Sequence, residues 1–244
     1  LVIFGGIGYQ VIMDGIHWLR DRLRGRRGRS LFSLHFKIVV AMTVALLIVG
    51  TLAIFATEFD NPNTLGNLSL SNKGLAAWFQ SVITRTAGFN SIDIGAMENV
   101  TLFIAIALMA IGASPGSTGG GMKTTTISIL LVCTRAVLRG KEEVLIFQRE
   151  IPTARVLKAV GVVMGSGTMI VTVTTLISLT DSEFSFLTIL FEVVSAFATV
   201  GLSTGITADL SDLGKLLIIA TMYVGRIGVL LFMSAILGDP NPSA

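Results

Sequence analysis

Three stretches of the chain run for twenty or more residues without a charged side chain: Ile38 to Thr57 (20 residues), Asn99 to Met122 (24) and Ala159 to Thr180 (22). A run of about 20 apolar residues is what a helix needs to cross the hydrocarbon core of a bilayer. Leu216 to Leu237 reads as a fourth span, interrupted only by Arg226, and Leu1 to Met13 as the tail of a fifth. Only 14% of the 244 residues are charged and 52% are hydrophobic, whereas an ordinary soluble domain is about a quarter charged. The expectation is an all-α integral membrane protein. The chain opens at Leu1 inside an apolar segment, with neither an initiator Met nor the basic n-region of a signal peptide, which reads as the C-terminal part of a longer chain.

Charge is sorted by loop. Asp14 to Ser30 carries six arginines and Thr134 to Lys158 six more Lys or Arg, so the positive-inside rule puts both on the cytoplasmic face. Glu58, Asp60, Asp93, Glu98, Asp181, Glu183, Asp209 and Asp212 oppose only Lys73 and Lys215 on the other side, where they would raise the local concentration of cations. A net charge of +3 is therefore explained by topology, and no nucleic-acid partner is implied. Cys133 is alone and cannot form an internal disulfide. His17 and His35 have no Cys or second His at ligand spacing, so no metal site of the zinc type is expected. No nucleophile and base are arranged for catalysis, so the chain is not expected to be an enzyme.

Two further apolar segments, Gly74 to Ile83 and Phe184 to Phe197, are too short to span and are each followed by Thr and Gly. They are candidates for re-entrant half-helices. The order span, short segment, span then occurs twice in the same sense: Phe36–Thr57, Gly74–Ile83 and Asn99–Leu138, then Val156–Thr180, Phe184–Phe197 and Leu216–Leu237. After each short segment the copies read ITRTAGFNSIDI (Ile83 to Ile94) and FATVGLSTGITA (Phe197 to Ala208). Aligned, Thr86-Ala87-Gly88-Phe89 and Thr199-Val200-Gly201-Leu202 share Thr-apolar-Gly-apolar. A selectivity filter for a monovalent cation needs backbone carbonyls on a narrow axis, glycine supplies the φ values that turn them inward, and the negative end of a short helix favours a cation. Two in-register copies favour that reading over a pair of plain tight turns.

The stretch Ser114 to Thr124, SPGSTGGGMKT, superficially resembles a phosphate loop. Such a loop reads G-x-x-x-x-G-K-[ST] after a short buried strand, but here Met122 separates Gly121 from Lys123 and thirteen residues without a turn signal precede it. A membrane context suits it better.

The segments TRTAGFNS, ATVGLSTG, SPGSTGGGMKTTT and MYVGRIGVLLF together resemble the Trk/Ktr/HKT superfamily of potassium transporters, most closely the membrane subunit of bacterial Ktr-type systems. The resemblance extends over essentially the whole chain. It implies helix–pore-loop–helix units around one pore, with residues 1–30 the end of a second unit (FGGIGYQVIMD) and its basic loop, 31–140 the third unit and 141–244 the fourth with the C-terminal tail. It implies filter glycines at Gly88 and Gly201, with K⁺ at the carbonyls of Thr86, Ala87, Thr199 and Val200. The segment Gly112, Ala113, Ser114, Pro115, Gly116, Ser117, Thr118, Gly119, Gly120, Gly121 would be an intramembrane gate breaking the second long helix of its unit. Pro115 blocks helix continuation, and irregular backbone at membrane depth must be buried in protein or line a cavity.

Arg226, a charge within a span, is a functional candidate by position. The resemblance makes it a pore barrier acting with the loop, and capping of carbonyls freed by the broken helix is the structural alternative. Lys123 snorkels toward the cytoplasm or bonds loop carbonyls, and Arg85 and Glu192 are assigned to holding the filter through hydrogen bonds to loop backbone. The resemblance further implies K⁺ uptake with Na⁺ as a second candidate ion, no organic cofactor, a homodimer, a cytosolic nucleotide-binding (RCK-type) regulatory subunit, and a multi-pass position in the inner or plasma membrane. An alternating-access transporter that binds a small solute at the broken helix is the competing class.

Overall fold

The computed structural model of the chain describes residues 1–24, 32–141, 143–229 and 232. The fold is helical, in the order α1 (Val2–Ile7), α2 (Tyr9–Leu23), α3 (Leu34–Glu58), α4 (Leu70–Ile83), α5 (Asn99–Ala110), α6 (Thr124–Leu138), α7 (Thr153–Thr180), α8 (Phe186–Phe197) and α9 (Asp212–Ile227). A hairpin of two-residue strands, β1 (Leu145–Ile146) and β2 (Arg149–Glu150), lies between α6 and α7. Among the described residues α3 and α7 are the helices long and apolar enough to cross a membrane. Serine side chains cap three of the helices: Ser33 Oγ accepts the Phe36 N–H at 3.1 Å, Ser185 Oγ that of Thr188 at 3.2 Å, and Ser211 Oγ that of Gly214 at 3.1 Å.

Several expectations are corrected. Leu1 to Met13 is not one helix, because the chain turns at Gly8 with φ 87° between α1 and α2. The stretch from Asp14 is helical to Leu23, and its arginine-rich remainder, 25–31, lies outside the described residues. The uncharged run from Asn99 is helical to Ala110 and the helix resumes at Thr124, the break falling on the stretch 112–121 that was expected to interrupt it. The last span begins at Asp212 and is broken after Ile227, where Gly228 takes φ 96°, with Val229 and Phe232 helical again beyond it. The rest of that expected span, 230–237 apart from 232, is outside the described residues, as is the tail. The β hairpin has no counterpart in the expectation. Its turn residues, Phe147 and Gln148, lack the Asn-Gly signature that usually marks such a turn.

The helices of the two sequence copies are joined through one core. Ile83, Ile94, Leu102, Ile106 and Met109 from the first copy meet Phe191, Val194, Val200 and Leu202 from the second. Helix α8 lies against α5, α7 and α9, while α4 lies against α3. Between helices in a membrane there is little hydrophobic drive, so close backbone approach at small residues carries the association. Gly50 of α3 faces Ser81 of α4, and a Cβ on Gly225 of α9 would overlap the carbonyl oxygen of Phe197.

Two of the acidic residues expected to face water are buried staples. Glu58, fully buried at the end of α3, accepts from the backbone N–H of Glu98 at 2.9 Å, from Asn61 Nδ2 at 2.8 Å and from Thr64 Oγ1 at 2.5 Å. Asp181, at the end of α7, accepts from the backbone N–H of Ser211 at 2.6 Å, the Ser211 hydroxyl at 2.9 Å and the Thr180 hydroxyl at 2.6 Å. Glu98 and Ser211 are the N-cap residues of α5 and α9. In both copies, then, the carboxylate closing the first long helix fixes the start of the third.

Replacing Gly225 by Ala forces a methyl group into the Phe197 carbonyl, and overpacking of this kind costs about 1–3 kcal/mol. The expected outcome is a lower melting temperature of the purified protein. Gly167→Ala, inside α7 where a Cβ meets nothing within 4 Å, should leave it unlowered or raise it slightly, since Ala favours the helix over Gly.

Candidate functional site

Helices α4 and α8 end at Ile83 and Phe197, and each runs into a segment with the same backbone irregularity. Thr86 and Gly88 have φ of 68° and 69°, and Thr199 and Gly201 have φ of 51° and 87°. Left-handed conformation costs little for Gly but is a genuine outlier for β-branched Thr. Such strain persists only where the surroundings impose it, and it clusters at functional sites. Finding it at the same two positions of both copies excludes an accident of one loop. Alternating left- and right-handed residues turns successive peptide planes toward one side, where an extended strand would alternate them.

The two segments meet at their glycines. A Cβ on Gly88 would stand 2.9 Å from the carbonyl oxygen of Val200 and 3.3 Å from Gly201 Cα, and one on Gly201 would stand 3.3 Å from Gly88 Cα. No side chain fits there, and at least one carbonyl, that of Val200, faces the opposing segment. The C-terminal carbonyls of α4 and α8 end beside this place and add negative partial charge.

Different side chains hold the two segments. In the second, the Ser195 hydroxyl donates to the Leu202 carbonyl at 2.6 Å and the Val200 N–H to the Ser195 carbonyl at 2.9 Å. Buried Glu192 accepts from the Thr204 N–H at 2.8 Å and from the hydroxyls of Ser203 (2.7 Å), Thr204 (3.0 Å) and Thr207 (2.7 Å). Glu192 thus reaches loop backbone, as anticipated. Arg85 does not: its Nη1 donates at 3.5 Å to the Thr43 carbonyl in α3. Its buried side chain ties the segment to a helix behind it, because it leaves the chain on the side facing α3. Ser195, Ser203, Thr204 and Thr207 escaped the sequence reading, since Ser and Thr beside glycine give no local sign of their partner.

Residues 111 to 123 cross directly against both segments. A Cβ on Gly119 would lie 2.7 Å from Thr86 Oγ1 and one on Gly120 2.7 Å from Thr199 Oγ1, while the Gly120 N–H donates to Thr199 Oγ1 at 3.0 Å. Gly116 and Gly121 take φ of 74° and 70°. Ile111 and Met122 form a bridge, with the Met122 N–H donating to the Ala110 carbonyl at 3.3 Å and the Thr124 N–H to the Ala113 carbonyl at 3.4 Å. The far side is tied to α1. Fully buried Ser114 donates its N–H to the Gly6 carbonyl at 3.0 Å and its hydroxyl to the carbonyls of Gly6, at 2.7 Å, and Ile7. A Cβ on Gly8 would stand 2.8 Å from the Pro115 carbonyl, a requirement the isolated FGGIG stretch did not reveal.

Two cations complete the arrangement. Lys123 Nζ donates to the Gly119 carbonyl at 2.5 Å, and Arg226 Nη1 donates to the Thr118 carbonyl. Of the alternatives open from sequence, both side chains bond carbonyls released by the broken helix. The geometry therefore brings Thr86–Phe89, Thr199–Leu202, the loop 112–121, Lys123 and Arg226 into one place. Chemically it can offer carbonyl dipoles to a cation and interpose a hydrogen-bonded loop and two positive charges beneath it.

The sequence matches the model of the TrkH family, described as cation transport protein, over residues 1–237. It is 42% identical over 244 residues to the Ktr system potassium uptake protein B of Vibrio alginolyticus, covering 100% of this chain and 52% of the relative. It is likewise 42% identical to the protein of that name from Bacillus subtilis over 234 residues (96% and 50%), and 38% identical over 244 residues (99% and 52%) to the potassium/sodium uptake protein NtpJ of Enterococcus hirae. The chain thus spans about half the length of the curated relatives it matches. Its fold superposes on the crystal structure of the potassium transporter TrkH from Vibrio parahaemolyticus with a TM-score of 0.72 at 20% identity, covering 98% of this chain and 50% of that one.

Ser114→Ala removes both hydroxyl bonds to α1 without adding bulk. Hydrogen–deuterium exchange in peptides covering 112–123 should quicken by about fivefold or more, the factor matching ~1 kcal/mol for a lost hydrogen bond, with exchange in α7 unchanged. Equal rates in wild type and variant would mean that α1 does not restrain the loop.

Proposed function

The chain belongs to the TrkH family of cation transport proteins, and from that premise we propose that it forms part of a potassium uptake pathway in which two glycine segments select the ion and the broken helix gates it. The observation that carries this reading is the matched left-handed geometry at Thr86/Gly88 and Thr199/Gly201, with the two glycines facing each other. K⁺ gives up part of its hydration shell at the outer mouth and is coordinated by the carbonyls of Thr86, Ala87, Thr199 and Val200. Neutral dipoles replace water without binding so tightly that the ion cannot leave. Phe89 and Leu202 close the segments on their outer side, and Glu192 and Ser195 hold the second at the spacing that K⁺ requires.

Below the filter, the loop 112–121 occupies the exit. Its bonds to Thr199, Gly6 and Arg226 support a closed position, and opening exchanges them for water. Lys123 and Arg226 raise an electrostatic barrier to a cation while the loop is in place. In this reading residues 31–140 and 141–244 are consecutive helix–pore-loop–helix units, and 1–30 is the end of a preceding one. The two further filter segments of such a pore come from outside the chain described here. The names of the relatives support K⁺ as the substrate and Na⁺ as a second ion. The word system in two of the names supports one subunit of an assembly, here assigned to the plasma membrane as a homodimer docked on a cytosolic nucleotide-binding regulatory subunit.

Expression of the full-length protein in a strain lacking potassium uptake should restore growth at low K⁺. No rescue, with the protein verified in the membrane, would refute the assignment. Gly88→Ser and Gly201→Ser place a side chain where φ is 69° or 87° and where a Cβ finds neighbours within 3.3 Å. Each should weaken K⁺ over Na⁺ discrimination of uptake by about tenfold, corresponding to ~1.4 kcal/mol of lost coordination. Deletion of Gly119 and Gly120 should raise flux without changing that discrimination. Unchanged flux would return the loop to a packing role.

A further inference from the structure

Helix α6 leaves the loop at Thr124 and delivers Arg135 and Arg139 to its far end, on the side that the excess of Lys and Arg assigns to the cytoplasm. There a cavity of about 360 Å³ opens between the last turn of α6 and the β1–β2 hairpin. Arg135, Arg139 and Lys141 line it together with Val132, Leu145 and Phe147, and Glu143 adds an acidic group to the lining. Val132, Arg135 and Arg139 follow one another along one face of α6, with Val132 one turn nearer the membrane centre and the two arginines toward the helix end.

The hairpin is anchored beside this lining. Ile146 is buried with Ile38 and Ile151, and Leu34, Met42, Ile129 and Val156 of three helices pack around them. Its two turn residues, Phe147 and Gln148, both have positive φ, 47° and 65°, as a two-residue type I′ hairpin turn requires. What this turn presents is Phe147, 54% exposed, beside Leu145, 46% exposed. Lys37 Nζ of α3 stands 5.9 Å from the centre of the Phe147 ring, adding a further cation to the rim.

We propose that this cavity binds an anionic phospholipid of the cytoplasmic leaflet. The headgroup phosphate is held by Arg135, Arg139 and Lys141, and an acyl chain lies along Val132, Leu145 and Phe147. Free phosphate has no use for the apolar wall, whereas a phospholipid matches both charge and polarity gradient. Anionic headgroups attract basic residues at the membrane surface. Because α6 connects the site directly to the loop at 112–121, the lipid sits on the lever that the loop hangs from.

The test is lipid binding by the purified full-length protein, measured by native mass spectrometry with short-chain phosphatidylglycerol and phosphatidylcholine, and it needs no transport. Wild type should prefer phosphatidylglycerol, and each of R135Q, R139Q and K141Q should reduce the preference about fivefold. Phe147→Ala should weaken both lipids alike, and inorganic phosphate should compete poorly. All four side chains are exposed, so the variants should elute from size exclusion as wild type does. Equal affinity for the two lipids, a preference retained when all three cations are replaced, or competition by phosphate as strong as by lipid would overturn the proposal.

Discussion

Backbone that leaves the helix inside a membrane has no water to bond, so each freed N–H and C=O must find its partner within the protein. The structure depends on this constraint. Three irregular segments lie at the same place, 84–90, 111–123 and 198–205, and the middle one is bonded to the last of them and to the helices around it. The Gly120 N–H goes to Thr199, carbonyls of Gly119 and Thr118 take Lys123 and Arg226, and the loop's Ser114 takes carbonyls of α1. A loop in this position is therefore stable when seated and can move only if water or an ion replaces its partners, which is the physical basis for reading it as a gate.

Glycine is what lets the three segments come so close. At Gly88, Gly119 and Gly120 an added Cβ would meet neighbouring atoms at 2.9 Å or less, and at Gly88 and Gly201 positive φ is needed as well. The same close approach recurs in the frame, where Gly225 sits on the Phe197 carbonyl. Around it, Glu58 and Asp181 clamp the outer ends of the two copies by one device, a carboxylate accepting from the N-cap residue of a later helix. Between these ends the 112–121 loop is fitted closely but held by a handful of hydrogen bonds.

Much of the membrane frame was legible in the sequence. Uncharged runs marked α3 and α7, the paired Thr-apolar-Gly-apolar segments marked the irregular backbone after α4 and α8, and consecutive glycines marked the break between α5 and α6. What escaped had tertiary causes. Charge alone does not distinguish a carboxylate in a solvated loop from Glu58, whose acceptors are consumed forty residues away at Glu98. Arg85 was expected to bond its own loop, yet it reaches Thr43, a direction set by how α4 lies on α3. The hairpin at 145–150 lacks turn chemistry and is held by the packing of Ile146. Gly8 required the Pro115 carbonyl to be near it, a contact between residues more than a hundred positions apart.

The central claim is that a cation rests between the segments around Gly88 and Gly201. Crystals of the full-length protein grown in Rb⁺ or Tl⁺ give anomalous scattering that locates the ion directly. The account predicts ordered peaks within coordination distance of the carbonyls of Thr86, Ala87, Thr199 and Val200, weakened in Gly88→Ser. A protein that transports K⁺ in the same preparation but shows its anomalous density elsewhere, with none between these segments, would contradict it.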